Sequence, residues 1–201
     1  MSDVRICFLG DSYVAGVGDP EGLGWVGRVA AKSRKDRVPL TAYNLGIRRD
    51  TSQDVLERLP DEAGRRLADG ADNRLVVSFG VNDTMEENGK RRVEAVQTIA
   101  ALSDMAKWAK SHKLPLFLVG PPAVIDDAHN RRLLELTIVL KEYTRRQDIA
   151  FVSLTPELHE NRQWRAGLAA GDGAHPSAVG YELLTSLVLP GWWSWLGHAG
   201  R

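Results

Sequence analysis

The sequence predicts an α/β protein: one open sheet of about five parallel strands between two layers of helices. Three observations carry that reading. Five short apolar runs, each bounded by Gly, Pro, Asn or Asp, recur along the chain, and most are continuous, as strands covered on both faces are. Longer charge-rich stretches separate them, with apolar residues three and four apart, which is helical spacing. Parallel neighbours need crossover connections, and the strand–helix alternation supplies them.

Taken in order, Arg5–Leu9 is the first strand, and a helix is predicted over about Trp25 to Lys35. Leu40–Leu45 is the second strand, followed by a helix from Thr51 to Ala68 in which Val55, Leu59, Ala63 and Leu67 keep a four-residue step. Leu75–Phe79 is the third, and Val93 to Lys110 then lays Val96, Ile99, Leu102, Met105 and Ala109 on one broad face. Leu116–Val119 is the fourth, with a helix over Arg131 to Arg146 built on Leu133, Leu136, Leu140 and Tyr143. Ile149–Leu154 is the fifth, and a last helix runs from Ser177 to Leu189, with Pro190 expected to end it. No linker, composition break or repeat divides the chain, so residues 1–201 read as one domain.

Composition narrows the function. With 43% hydrophobic and 26% charged residues, the chain is neither disordered nor fibrous. Lys plus Arg equals Asp plus Glu at 26 each, so no net field draws the molecule to nucleic acid or an anionic membrane. Cys7 is the single cysteine, sits inside an apolar run, and reads as a small buried hydrophobe. The start, MSDVRICFLGDS, lacks a basic region ahead of an apolar stretch, and no run approaches 18 apolar residues; a cytoplasmic protein without membrane anchoring is expected.

Ligands of such sheets bind at the carboxyl ends of the strands, so the residues there matter most. They are Gly10-Asp11-Ser12 after the first strand, Gly46 after the second, Gly80-Val81-Asn82-Asp83 after the third, and Asp172-Gly173-Ala174-His175-Pro176 near the end. A hydroxyl, an imidazole with a nearby carboxylate, and amide donors are the components of acyl transfer. A serine needs a base within hydrogen-bond reach to attack at neutral pH. His175 is the candidate base, and Asp172, three residues earlier, can project from the same loop to fix its tautomer.

These four blocks, in this order over residues 10 to about 180, resemble the SGNH hydrolases, also called GDSL esterases and lipases. The resemblance implies a flavodoxin-like fold and a serine esterase that hydrolyses carboxylic esters through an acyl-enzyme. It implies Ser12 as nucleophile, His175 as base then acid, and Asp172 as the orienting carboxylate. It also implies an oxyanion hole from the Ser12 and Gly46 amides and the Asn82 side chain, with a small-molecule ester as substrate and no cofactor. One departure is visible: Tyr13 follows Ser12 where the family name expects leucine. No lid-sized insertion separates the elements, which points to an open site and short acyl chains. The acyl group and alcohol themselves are not readable, so thioester, lysophospholipid and sugar-acetyl substrates all stay open.

Plainer readings stand beside each of these. Ser12 and Asp11 suit a helix cap, Asn82 and Asp83 a turn, and Asp172 and His175 an ordinary loop. The alternative function is a non-catalytic domain holding a flavin or phosphate at the strand ends, in which Asp172 and His175 have no task. A third is a degenerate hydrolase kept as an interaction module, against which intact triad residues argue. Gly22-Leu23-Gly24-Trp25-Val26-Gly27 formally fits the dinucleotide fingerprint, but it begins too far beyond the first strand. His112, at a helix end, and His129, His159 and His198, in polar surroundings, are expected to be idle. Asp126, Asp127 and His129 read as solvated surface, and no metal is implied. Arg48-Arg49-Asp50, just after Gly46, should lie near the site. The Trp192-Trp193-Ser194-Trp195 segment reads first as packing against the body and second as a patch for a second copy of the chain or a lipid surface.

Overall fold

A computed structural model describes residues 3–197. In chain order the elements are β1 (Val4–Gly10), α1 (Ser12–Ala15), α2 (Gly24–Lys35), β2 (Leu40–Gly46), α3 (Ser52–Gly64), β3 (Asp72–Ser78), α4 (Val81–Thr84), β4 (Glu86–Glu87), β5 (Lys90–Arg91), α5 (Ala95–Ser111), β6 (Leu116–Val119), α6 (Asp127–Gln147), β7 (Ala150–Val152), α7 (Thr155–Glu160), α8 (Arg162–Ala169) and α9 (Ala178–Leu196). The main sheet has the order β2-β1-β3-β6-β7 and every pairing in it is parallel. This is the flavodoxin-like strand order that the resemblance implies. Its order reverses at β1, so the crevice opens between the carboxyl ends of β1 and β3.

Period-two alternation sorts β1 onto two cores. Ile6 and Phe8 face α2 and α9 with Val29, Tyr181, Val188 and Trp192, whereas Cys7 and Leu9 face α3, α5 and α6 with Val55, Leu59, Leu102 and Leu140. All of these side chains are essentially inaccessible to solvent. Burial pushes the Cys7 thiol up to about 11, so it is not a nucleophilic thiolate.

Three departures from the sequence reading have physical causes. Pro190 does not end the last helix: α9 continues through it to Leu196. A proline inside a helix costs roughly 3 kcal/mol. Here Trp192, fully buried, stacks on Phe8 and donates from Nε1 to Ser33 Oγ at 2.9 Å, while Trp195 stacks on Phe117. That packing outweighs the proline, and it is the first of the two readings of the tryptophan segment. Second, α6 starts at Asp127, because Asp126 caps it by accepting the His129 amide. Third, β4 and β5 form a small hairpin around Asn88 and Gly89, both at positive φ, a turn that the Asn-Gly pair signals.

The glycine run Gly22–Gly27 shapes the entry to α2, where the backbone amides already have an acceptor. The buried Asp19 carboxylate already accepts from the Leu23 and Gly24 amides and pairs with Arg28. That is the position a pyrophosphate takes in a dinucleotide site.

Candidate active site

Asp11 caps α1 by accepting the Tyr13 amide at 2.9 Å, and so sets Ser12 in the first position of a one-turn helix at the end of β1. Across the crevice, the loop between α8 and α9 carries Asp172 and His175. Asp172 Oδ1 accepts from the Ala174 amide at 2.9 Å and the His175 amide at 2.8 Å, folding the loop on itself. The other oxygen, Oδ2, lies 2.6 Å from His175 Nδ1, and His175 Nε2 lies 2.8 Å from Ser12 Oγ. A carboxylate only accepts, so Nδ1 carries the ring proton and Nε2 is free to accept from the Ser12 hydroxyl. Burial works to raise the Asp172 carboxyl, but the His175 amide, the His175 ring and the Ala174 amide together hold it below its ordinary range.

The crevice's far wall is α4. Asn82 is buried and donates from Nδ2 to the Asp50 carbonyl at 2.9 Å, with Asp11 Oδ2 at 3.4 Å. Asp83, read from the sequence as a turn or capping residue, is fully buried and joins three elements. It accepts from the Ser52 amide at the start of α3 at 2.8 Å and from Thr98 Oγ1 on α5 at 2.7 Å. His129 corrects the expectation of polar surroundings: it is buried, with Nε2 3.0 Å from the Val81 carbonyl and 3.0 Å from Thr84 Oγ1. It thus props the turn that carries Asn82, and burial lowers its pKa, keeping the ring neutral. Its partners Asp126 and Asp127 cap α6 and pair with Arg165, so this trio is helix-end structure. His112 does sit at the end of α5, stacked on Trp108, and His198 lies outside the described residues.

Gly46 is not brought to the crevice as a donor. The Ile47 amide points at β1 and donates to Gly10 O, so the Gly46 amide, one residue back in an extended strand, faces the sheet edge. There it donates to Asn44 Oδ1 at 3.1 Å. Glycine is required at this position by packing: a Cβ would lie 2.1 Å from the Ala15 amide nitrogen of α1. Beyond it, Ile47 to Asp50 make a turn closed by the Asp50 amide on Ile47 O at 3.3 Å, with Arg49 at φ +70 in the region that favours glycine.

Sequence reasoning passed over the residues that brace this turn. Arg58 donates to Asp50 Oδ2, Glu62 Oε1 and the Gly10 carbonyl, tying α3 to the ends of β1 and the turn. Arg92 donates to Arg49 O at 3.0 Å, and Arg49 pairs with Glu87 on the hairpin. Nothing in the sequence separates these arginines from ordinary surface charge. Arg48-Arg49-Asp50 does border the site, through the Asp50 carbonyl on Asn82.

A hydroxyl, an imidazole and a carboxylate in line at the switch point of a doubly wound sheet are the components of a serine-type acyl hydrolase. The comparisons reach the coarser class, an ester hydrolase. Residues 8–183 match the GDSL-like Lipase/Acylhydrolase family, and the chain belongs to it; its class of chemistry is ester hydrolysis. Among solved structures, a lipase/acylhydrolase from Enterococcus faecalis is 27% identical, with a TM-score of 0.74 over 92% of this chain and 93% of that one. The fold is shared with TesA, at 21% identity and a TM-score of 0.78 over 95% of this chain and 99% of that one. It is also shared with Axe2, an acetylxylan esterase from Geobacillus stearothermophilus, at 20% identity and a TM-score of 0.76 over 93% of each chain. A curated relative, the uncharacterized protein YpmR of Bacillus subtilis, is 37% identical over 85 residues; that match spans 41% of this chain and 33% of the relative. No helix among the described residues is long and apolar enough to cross a membrane.

Proposed function

We propose that the chain is a serine esterase that hydrolyses carboxylic esters of short acyl groups through a covalent acyl-enzyme. One observation carries the reading: the unbroken hydrogen-bonded line from Asp172 through His175 to Ser12. Ser12 Oγ attacks the ester carbonyl carbon while its proton passes to His175 Nε2, and Asp172 stabilises the imidazolium. The tetrahedral intermediate collapses, the alcohol leaves with the proton from His175, and the acyl group stays on Ser12. Water then repeats the sequence, releasing the acid and restoring the Ser12 hydroxyl.

The oxyanion is held by the Ser12 amide and Asn82 Nδ2. The resemblance also implies Gly46, but its amide faces away from the crevice, onto Asn44 Oδ1 at the sheet edge. The Arg48 and Arg49 amides, which have no acceptor among the described residues, lie between Gly46 and the residue whose carbonyl meets Asn82, and we assign the third donor to this turn. A small acyl pocket, as opposed to a lipase groove, rests on the absence of a lid-sized insertion between the described elements.

The test is intact mass and peptide mapping after a fluorophosphonate probe, followed by a structure of the adduct. A single adduct on Ser12, absent in His175→Ala, with the phosphonyl oxygen at the Arg48–Arg49 turn, is expected. No adduct on folded protein refutes the esterase reading, and an oxygen on the Gly46 amide refutes the donor assignment. Clear preference for long chains in an ester series refutes the short-acyl reading.

A further inference from the structure

Tyr13 stands where the family name leads one to expect leucine, and leucine has no donor. The Tyr13 ring is buried, yet its hydroxyl reaches across the crevice and donates to the Ala174 carbonyl at 2.6 Å. Ala174 is the residue next to His175, and Tyr13 is the residue next to Ser12. The same ring packs on the imidazole, with centroids 5.5 Å apart.

The loop needs such an anchor. Asp172 is 56% exposed, and its two amide contacts fold the loop without fastening it to the body. Apart from the Ser12–His175 contact and the Gly173 amide on Leu168 O at the end of α8, the hydrogen bonds that fasten it among the described residues are Ile125 N to Gly173 O at 2.8 Å and Tyr13 Oη to Ala174 O. The second is the one that ends on the element carrying Ser12. Tyr13 is itself held at its amide by Asp11. Burial raises the Tyr13 phenol far enough for it to stay an O–H donor across the working range of such enzymes.

We propose that Tyr13 is a positioning residue, a hydrogen-bonded spacer that sets the separation of the Ser12 hydroxyl from the His175 imidazole by tying the acid–base loop to the nucleophile turn. This rests on the esterase reading above, because without acyl transfer the separation has no consequence. Displacements of about 1 Å at a reacting centre can cost about 100-fold in rate. The bond orients the base and touches no substrate, so its loss should lower kcat and leave KM unchanged.

The experiment is Tyr13→Phe, which keeps the ring and removes one oxygen. Steady-state kcat and KM, the rate of Ser12 phosphonylation, and the downfield proton resonance of the Asp172–His175 bond are measured on variant and parent. The expected result is a fall of about 10- to 100-fold in kcat and in phosphonylation rate, KM unchanged, and a broadened or lost resonance. If the parent itself is not phosphonylated, the esterase reading fails. If the parent reacts and the variant matches it in rate and resonance, Tyr13 merely fills space and the proposal is overturned. Should Tyr13→Phe not fold, Tyr13→Leu is the second variant, with the same readouts. Failure of both to fold makes Tyr13 a folding determinant and also overturns the proposal.

Discussion

Asp172→Asn is the sharpest perturbation of this site, because it changes one donor pattern and almost no volume. In the parent, three N–H groups converge on the carboxylate: the Ala174 and His175 amides at 2.9 and 2.8 Å, and His175 Nδ1 at 2.6 Å. An asparagine can keep the first two with its carbonyl oxygen, so the loop holds its shape. Its amide then presents a donor to Nδ1. The ring responds by moving its proton to Nε2, the atom 2.8 Å from Ser12 Oγ, which then cannot accept the hydroxyl proton. A base in the wrong tautomer lowers kcat by about 10,000-fold, equivalent to about 5.4 kcal/mol of transition-state stabilisation. The assay is kcat/KM on a p-nitrophenyl ester of acetate together with the thermal midpoint. A variant within tenfold of the parent, at equal stability, would refute Asp172 as the orienting group.

Three further outcomes follow from the same geometry. Asn82→Ala should cost about 100- to 1,000-fold in kcat, with a smaller change in KM; an unchanged kcat removes Asn82 from the oxyanion hole. Burial pushes the Asp11 carboxyl up to about 7, opposed by the Tyr13 amide and aided by Asp83 and Asp50. The folded chain therefore keeps a proton that the unfolded chain releases near pH ~4, and stability falls as pH rises from there through about 7, by up to about 1.4 kcal/mol per unit. His129, held neutral by burial, contributes a rise over the same window in both proteins, so denaturant titrations at pH 5 and pH 8 should show stability falling more, or rising less, in the parent than in Asp11→Asn; equal changes in the two contradict it. Trp192→Ala removes a fully buried indole and its bond to Ser33, and should cost about 3–5 kcal/mol of unfolding free energy in a denaturant titration. A loss under about 1 kcal/mol would mean that α9 beyond Pro190 is not docked.

The sequence by itself determined the layers and the order of parts. Continuous apolar runs separated by helical spacing read as strands covered on both faces, and that places Ser12 and Asn82 at one edge of the sheet; the Asp172–His175 loop follows no strand, and its place beside them is what the resemblance implied. Residue chemistry did the rest for the triad, since an imidazole three residues from a carboxylate has few geometries. What the tertiary structure decided depends on direction and on distant partners, neither of which a string of residues contains. Whether the Gly46 amide faces the crevice turns on strand alternation at one residue, fixed by the Ile47 amide on Gly10 O. Whether Pro190 ends a helix turns on Phe8, Phe117 and Ser33, lying 73 to 182 positions away. His129 and Asp83 look like surface and turn residues locally, and become buried struts only because α3, α5 and α6 close over α4. The tyrosine after Ser12 is plain in the sequence, but its hydroxyl has a task only once the chain brings Ala174 within 2.6 Å of it.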